Sequence, residues 1–117
     1  MKFPPFVYRL PQLDIPFPAS AVQSHALQSE NGLVAFFAFA QDVTLPEHQH
    51  KAQWGFVVAG EMTLTIDGQS RVYSPGDSYF IPSEAPHSAD IRAGTIVIDV
   101  FEEPDRYPVK APLELAG

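Results

Sequence analysis

At 117 residues and 45% hydrophobic content, the chain has the length of one domain and enough apolar material for an ordinary core. It has no cysteine, which excludes a disulfide framework, thiolate chemistry and Cys-ligated metal sites. A formal charge of -7 repels phosphate backbones and anionic bilayers, so neither nucleic acid nor a membrane is an expected partner.

Residues 1–20 read as an extended arm. Pro4, Pro5, Pro11, Pro16 and Pro18 make the segment poor helix material. Phe3, Phe6, Val7, Tyr8, Leu10, Leu13, Ile15 and Phe17 make it too apolar for a solvated tail. Those side chains need a surface to cover, either the chain's own barrel or a partner subunit. The prolines interrupt any signal-peptide core, and the longest apolar run, Leu33 to Ala40, is far short of the roughly 20 residues of a membrane helix. A soluble, cytoplasmic protein is the expectation.

From residue 21 to 117 the chain reads as one all-β unit. Asn31-Gly32 is a hairpin signal between "AVQSHALQ" and "LVAFFAFAQ". Ala59-Gly60-Glu61 separates "WGFVV" from "MTLTI", and Asp67-Gly68 separates that from "QSRVY". Pro75-Gly76-Asp77 precedes "SYFI", and Ala93-Gly94 precedes "TIVIDVF". Short strands between tight turns indicate a sandwich or barrel. In "MTLTID", Met62, Leu64 and Ile66 share one face, and Thr63, Thr65 and Asp67 the other. "LVAFFAFA" and "TIVIDVF" are apolar on both faces, so an outer face is also expected to be covered. A homodimer would cover it.

His48 and His50 stand at i and i+2, on one face of an extended segment, and His87 follows another short strand. Three imidazoles converging from two strands suit a divalent transition metal, with exposed histidines as the alternative. His25 stands apart from them and is expected to be exposed, as is Glu47.

"HQHKAQWGFVVAG" resembles the first motif of the cupin family, G-x5-H-x-H-x3,4-E-x6-G, at His48, His50 and Gly60. "GDSYFIPSEAPH" resembles the second, G-x5-P-x-G-x2-H-x3-N, at Gly76, Pro82 and His87. Asp42, Gln53, Glu84 and Ile91 stand where the patterns have glycine, glutamate, glycine and asparagine, and Gln53 follows His50 at shorter spacing than usual. The resemblance covers about residues 33 to 101. It implies a small single-domain, RmlC-like cupin: a double-stranded β-helix, or jelly roll. It further implies one bound metal ion (Zn, Ni, Fe, Mn or Cu) on His48, His50 and His87. Gln53 is either a fourth ligand through its carbonyl oxygen or a hydrogen-bond partner of a histidine. Its parity differs from that of the histidines, so convergence needs a turn or bulge at Lys51-Ala52.

Asp99 interrupts a strand that is apolar on both faces, where a carboxylate is costly unless paired or functional. It is either a structural acceptor or a proton carrier near the metal. "IDVFEEPDR" is similar to the C-terminal strand of cupins that linearise unsaturated uronates, which implies a catalytic Asp99 and an Arg106 near a substrate carboxylate. Trp54, Tyr79 and Phe101 are the aromatic candidates for substrate contact. The expected activity is that of a metal-dependent isomerase or lyase on a small, anionic, oxygen-rich molecule such as a sugar acid. A metal-dependent dioxygenase and a non-catalytic binding module are the alternatives.

Overall fold

The computed structural model describes residues 2–110, and residues 111–117 of the expected barrel unit lie outside them. Nine strands follow one another in the chain: β1 (Val22–Ser29), β2 (Gly32–Phe39), β3 (Val43–His48), β4 (Gln53–Ala59), β5 (Met62–Ile66), β6 (Gln69–Tyr73), β7 (Ser78–Ile81), β8 (His87–Ile91) and β9 (Ile96–Phe101). They form a five-stranded sheet, β1-β2-β9-β4-β7, and a four-stranded sheet, β3-β8-β5-β6. Every strand pair is antiparallel. The fold is therefore the all-β jelly roll that the turn spacing and the motifs predict.

The core lies between the sheets. Leu33, Ala35, Val57 and Val97 of the five-stranded sheet and Met62, Leu64, Ala89 and Ile91 of the four-stranded sheet are all buried. The period-2 pattern of "MTLTI" does what it predicts: Met62 and Leu64 face inward, and Thr63 and Thr65 do not. Each fully buried Leu or Val stabilises the fold by roughly 1.5–3 kcal/mol relative to exposure. The first hairpin turns one residue earlier than the Asn-Gly signal, over Glu30 and Asn31, with Gly32 paired to Ser29. Gly32 answers to packing: a Cβ there would sit 2.7 Å from the carbonyl oxygen of Phe101.

The arm is not uniformly extended. Pro5–Arg9 form a 3-10 helix, with Pro5 at its first position, where a missing N–H costs nothing. His25 lies beneath it. Its Nδ1 is 2.8 Å from the Leu10 carbonyl oxygen, and Tyr8 packs edge-on against its ring. His25 is only 2% exposed, which corrects the expectation of a surface position. The imidazole gains a backbone acceptor and an aromatic contact in exchange for water. Phe3 meets Phe36 edge-on in the same way. Further along, Leu13 N–H donates to Ser24 O and Ala26 N–H to Pro11 O, while Lys110 N–H donates to Gln12 O. Residues 11–14 thus lie between β1 and residues 108–110, and cover the edge that β1 would otherwise expose. Leu13, 2% exposed, is the arm's anchor in the core.

Candidate metal centre

β3 and β8 are neighbours in the four-stranded sheet, and His48 pairs with His87 directly across the ladder after a register shift beyond Leu45. β3 ends at His48. His50 lies in the connection that bends at Lys51 and crosses to β4 in the other sheet. That crossing brings Gln53 to the cavity from the opposite sheet, so strand parity does not govern its direction. The three rings close on one another, with centroids 4.2 Å apart for His48–His87, 4.7 Å for His50–His87 and 5.3 Å for His48–His50. One ligand nitrogen from each lies within 4.8 Å of the others, so the three form a group that can hold a metal ion.

Backbone carbonyls orient all three rings. His48 Nδ1 is 2.9 Å from Pro46 O, His50 Nδ1 is 2.6 Å from Lys51 O, and His87 Nδ1 is 2.8 Å from Ala85 O. A carbonyl oxygen only accepts, so each Nδ1 carries a proton, which in a neutral imidazole leaves the lone pair on Nε2. His50 Nε2 and His87 Nε2 stand 3.1 Å apart. Two lone pairs at that distance repel unless they share a cation. A metal ion at the usual metal–imidazole distance of about 2.1 Å would span that separation. The donor set therefore fits a divalent transition metal.

Electrostatics favours the neutral rings. Burial pushes His50 down to about 4, against the pull of its bond to Lys51 O, and the charge of Arg106 adds to the depression. Burial likewise lowers His87, with smaller contributions from His48 and Arg106. At neutral pH both rings offer lone pairs rather than protons.

Behind the histidines lies a second polar group. Asp99 on the central strand β9 is 5% exposed, and its carboxylate accepts a 2.6 Å hydrogen bond from Tyr79 Oη. Gln53 lines the same cavity from the neighbouring strand β4. Burial raises Asp99 to about 6, moderated by the bond from Tyr79 and by the nearby Gln53 amide. Burial also raises Tyr79 well above the usual phenol range, and the neighbouring Asp99 reinforces it. Gly55 makes the arrangement possible. It pairs with Asp99 on one side and Tyr79 on the other, and the Tyr79 ring occupies the space a Cβ would fill. The phenol crosses β4 through that notch to reach Asp99.

These groups line a cavity of about 70 Å³ between the sheets. His48, His50, His87, Gln53, Asp99 and Tyr79 are its polar side, and Phe101 is part of its apolar wall, 5.8 Å from the His50 ring. Trp54 is not among the lining residues. It stands on the outer face of the five-stranded sheet, 44% exposed. The Arg106 guanidinium lies 4.3 Å from the Tyr107 ring centre and 6.0 Å from that of Phe101. Its Nε is buried without a hydrogen-bond partner among the described residues. Sequence reasoning missed Ile15, Phe17 and Tyr107, which also line the cavity. The odd-numbered series Leu13, Ile15, Phe17 was the available signal, since such a period-2 pattern marks one face of an extended segment.

The Cupin domain family matches residues 36–101, more than half of the chain. A solved RmlC-like cupin from Shewanella frigidimarina is 27% identical with a TM-score of 0.73, over 91% of this chain and 94% of that one. KdgF from Halomonas sp. is 21% identical with a TM-score of 0.66, over 80% and 87%. A Bacillus subtilis oxalate decarboxylase with Mn(II) centres is 23% identical with a TM-score of 0.61, over 73% of this chain but 26% of that one. No curated protein sequence matches significantly. No helix among the described residues is long and apolar enough to cross a membrane. With the family match spanning both motifs and the jelly roll around three converging imidazoles, the chain belongs to the cupin family.

Proposed function

We propose that the protein is a metal-dependent enzyme that relocates a proton on a small, anionic, oxygen-rich molecule of the sugar-acid type, in an isomerase or lyase reaction. The observation that carries this reading is the convergence of the three Nε2 atoms, two of them 3.1 Å apart and each ring oriented by a carbonyl. His48, His50 and His87 would hold one divalent transition metal ion, and Gln53, which lines the same cavity, would add its carbonyl oxygen. When bound, the ion supplies Lewis-acid polarisation of a substrate oxygen.

The chain's own residues supply the rest. All four donors are neutral, so no ligand charge offsets the cation, and an anionic ligand is favoured. Arg106 does not line the cavity, but it stands against Phe101 and Tyr107, which do, and its charge would favour an anion there. Asp99 carries the proton: it faces the same cavity, and Tyr79 holds it in place. Tyr79 and Phe101 shape the wall beside it. The oxalate decarboxylase likeness concerns the fold, and the assignment of a metal here rests on the imidazoles themselves.

The test is elemental analysis of protein purified without added metal, followed by assays on a panel of sugar acids with oxygen uptake recorded. About one metal per chain and turnover without oxygen consumption are expected. Oxygen consumption would replace this chemistry with a dioxygenase. Calorimetric binding without turnover would make the protein a ligand-binding module.

A further inference from the structure

Of the three imidazoles, His50 alone stands outside a strand. His48 and His87 are paired residues of β3 and β8, and the ladder fixes where their backbones lie. His50 sits in the connection between β3 and β4, and the carbonyl its Nδ1 contacts belongs to Lys51, the next residue in the chain. No ladder holds that bend; hydrogen bonds from two other parts of the chain do. Lys51 N–H donates to Glu103 Oε1 at 2.7 Å, and Ala52 N–H donates to Glu102 Oε1 at 3.3 Å. His50 O accepts from Glu84 N–H at 2.7 Å, in the loop before β8, and Ala52 O accepts from Glu102 N–H at 3.0 Å. Glu102 and Glu103 directly follow Phe101, the last residue of β9. The strand that carries Asp99 to the cavity therefore also carries two tethers to the bend behind a histidine.

We propose, resting on the reading of His50 as a metal ligand, that Glu102 and Glu103 are its positioning residues. The two carboxylates hold the peptide planes on either side of Lys51 and thereby aim the ring. A peptide unit is planar, and in the trans form its N–H and C=O point in opposite directions, so a group that holds the N–H sets the direction of the carbonyl. In the peptide joining Lys51 to Ala52, Glu102 takes the N–H on one edge, and His50 Nδ1–H donates to the oxygen on the other. In the peptide joining His50 to Lys51, Glu103 takes the N–H, and Glu84 N–H holds the oxygen. Both planes are gripped at both edges, and the imidazole follows them. A carboxylate on an amide N–H also polarises the peptide, which makes Lys51 O a stronger acceptor for His50. The carboxylate that orients a metal-binding histidine usually touches the ring itself. Here it acts through one intervening peptide.

Ring and metal are read separately, on the full chain. In metal-free protein at neutral pH, nitrogen-15 NMR of the imidazoles should show His50 with its proton on Nδ1. The double variant Glu102→Ala/Glu103→Ala should mix the two His50 tautomers and leave His48 and His87 unchanged. Titration with zinc ion against a competing chelator should show its affinity lowered by about 10-fold, the low end of what loss of a ligand-orienting group costs. Glu102→Gln/Glu103→Gln keeps an oxygen acceptor at each place and should stay within about 3-fold of wild type. Asp42 supplies a matched control: its Oδ1 accepts from Ala93 N–H at 2.8 Å, a carboxylate on a backbone amide at the other end of β3. Asp42→Ala should leave both the His50 ring and zinc affinity unchanged. Unmoved His50 signals in the alanine variant, or an equal loss of affinity in Asp42→Ala, would overturn the proposal. So would an equal loss in the alanine and glutamine variants, since charge rather than position would then be the cause. A wild-type chain that takes up no zinc would instead refute the metal reading, and the ring spectra would still decide the role of the two glutamates.

Discussion

Gly55→Ala is the sharpest test of how the polar layer is assembled. An added Cβ would collide with Cζ, Cε2 and Oη of Tyr79, which must then retreat to a contact distance of about 3.5 Å. A shift of that size breaks the 2.6 Å bond from Tyr79 Oη to Asp99. Overpacking costs about 1–3 kcal/mol. Loss of a hydrogen bond to a charged group costs about 1.5–3 kcal/mol more. The expected destabilisation is therefore about 2.5–6 kcal/mol, against about 1.5–3 kcal/mol for Tyr79→Phe, which loses the bond without the clash. Urea unfolding followed by the fluorescence of the single tryptophan, Trp54, measures both. The decisive background is Tyr79→Ala: with the ring gone, the added methyl has nothing to strike, and Gly55→Ala should then cost under about 1 kcal/mol. A full cost in that background would show that Gly55 answers to the backbone rather than to Tyr79, and the notch would have no role.

Replacing His48, His50 and His87 together by alanine should take bound metal from about one equivalent to none by elemental analysis; full retention would place the site elsewhere. Asp99→Asn should keep metal content and fold while lowering turnover by at least about 100-fold, the usual contribution of a positioned acid or base; an active variant would remove the proton carrier. Glu84 has φ 65, a left-handed conformation, at the position where the family pattern has glycine. Glu84→Gly should raise stability by about 0.5–1 kcal/mol in the same urea assay, and a loss would mean that its 3.5 Å contact with Gln49 outweighs the strain.

The strands were legible because the jelly roll alternates buried and solvated residues, as in Met62–Ile66, and because glycine and proline mark its turns. The histidine triad was legible because both halves of the donor set lie in short motifs of fixed spacing. What sequence could not supply was direction through space. Trp54 and Gln53 are adjacent, yet one faces outward and the other the cavity, and this follows from strand pairing. His25 looked like a surface residue because nothing in its own strand announces the 3-10 helix that covers it. Gln53 needed a turn or bulge at Lys51-Ala52 to converge with the histidines, and the chain bends at Lys51 as it passes from the sheet of β3 to that of β4.

The cavity has two origins in the chain. The metal donors and Asp99 fall within residues 36–101, the stretch the family shares, whereas Ile15, Phe17 and Tyr107 lie outside it. The donors and most of the cavity wall thus share one stretch, and the two flanks complete the wall with a few further side chains. Substitutions at either flank can reshape what the cavity admits without disturbing a single donor atom. A relative could keep the reactive centre and change its diet through a dozen terminal positions. Transplanting residues 1–20 and 104–110 between cupins is accordingly a direct way to exchange specificity, with metal content as the internal standard that the core is intact.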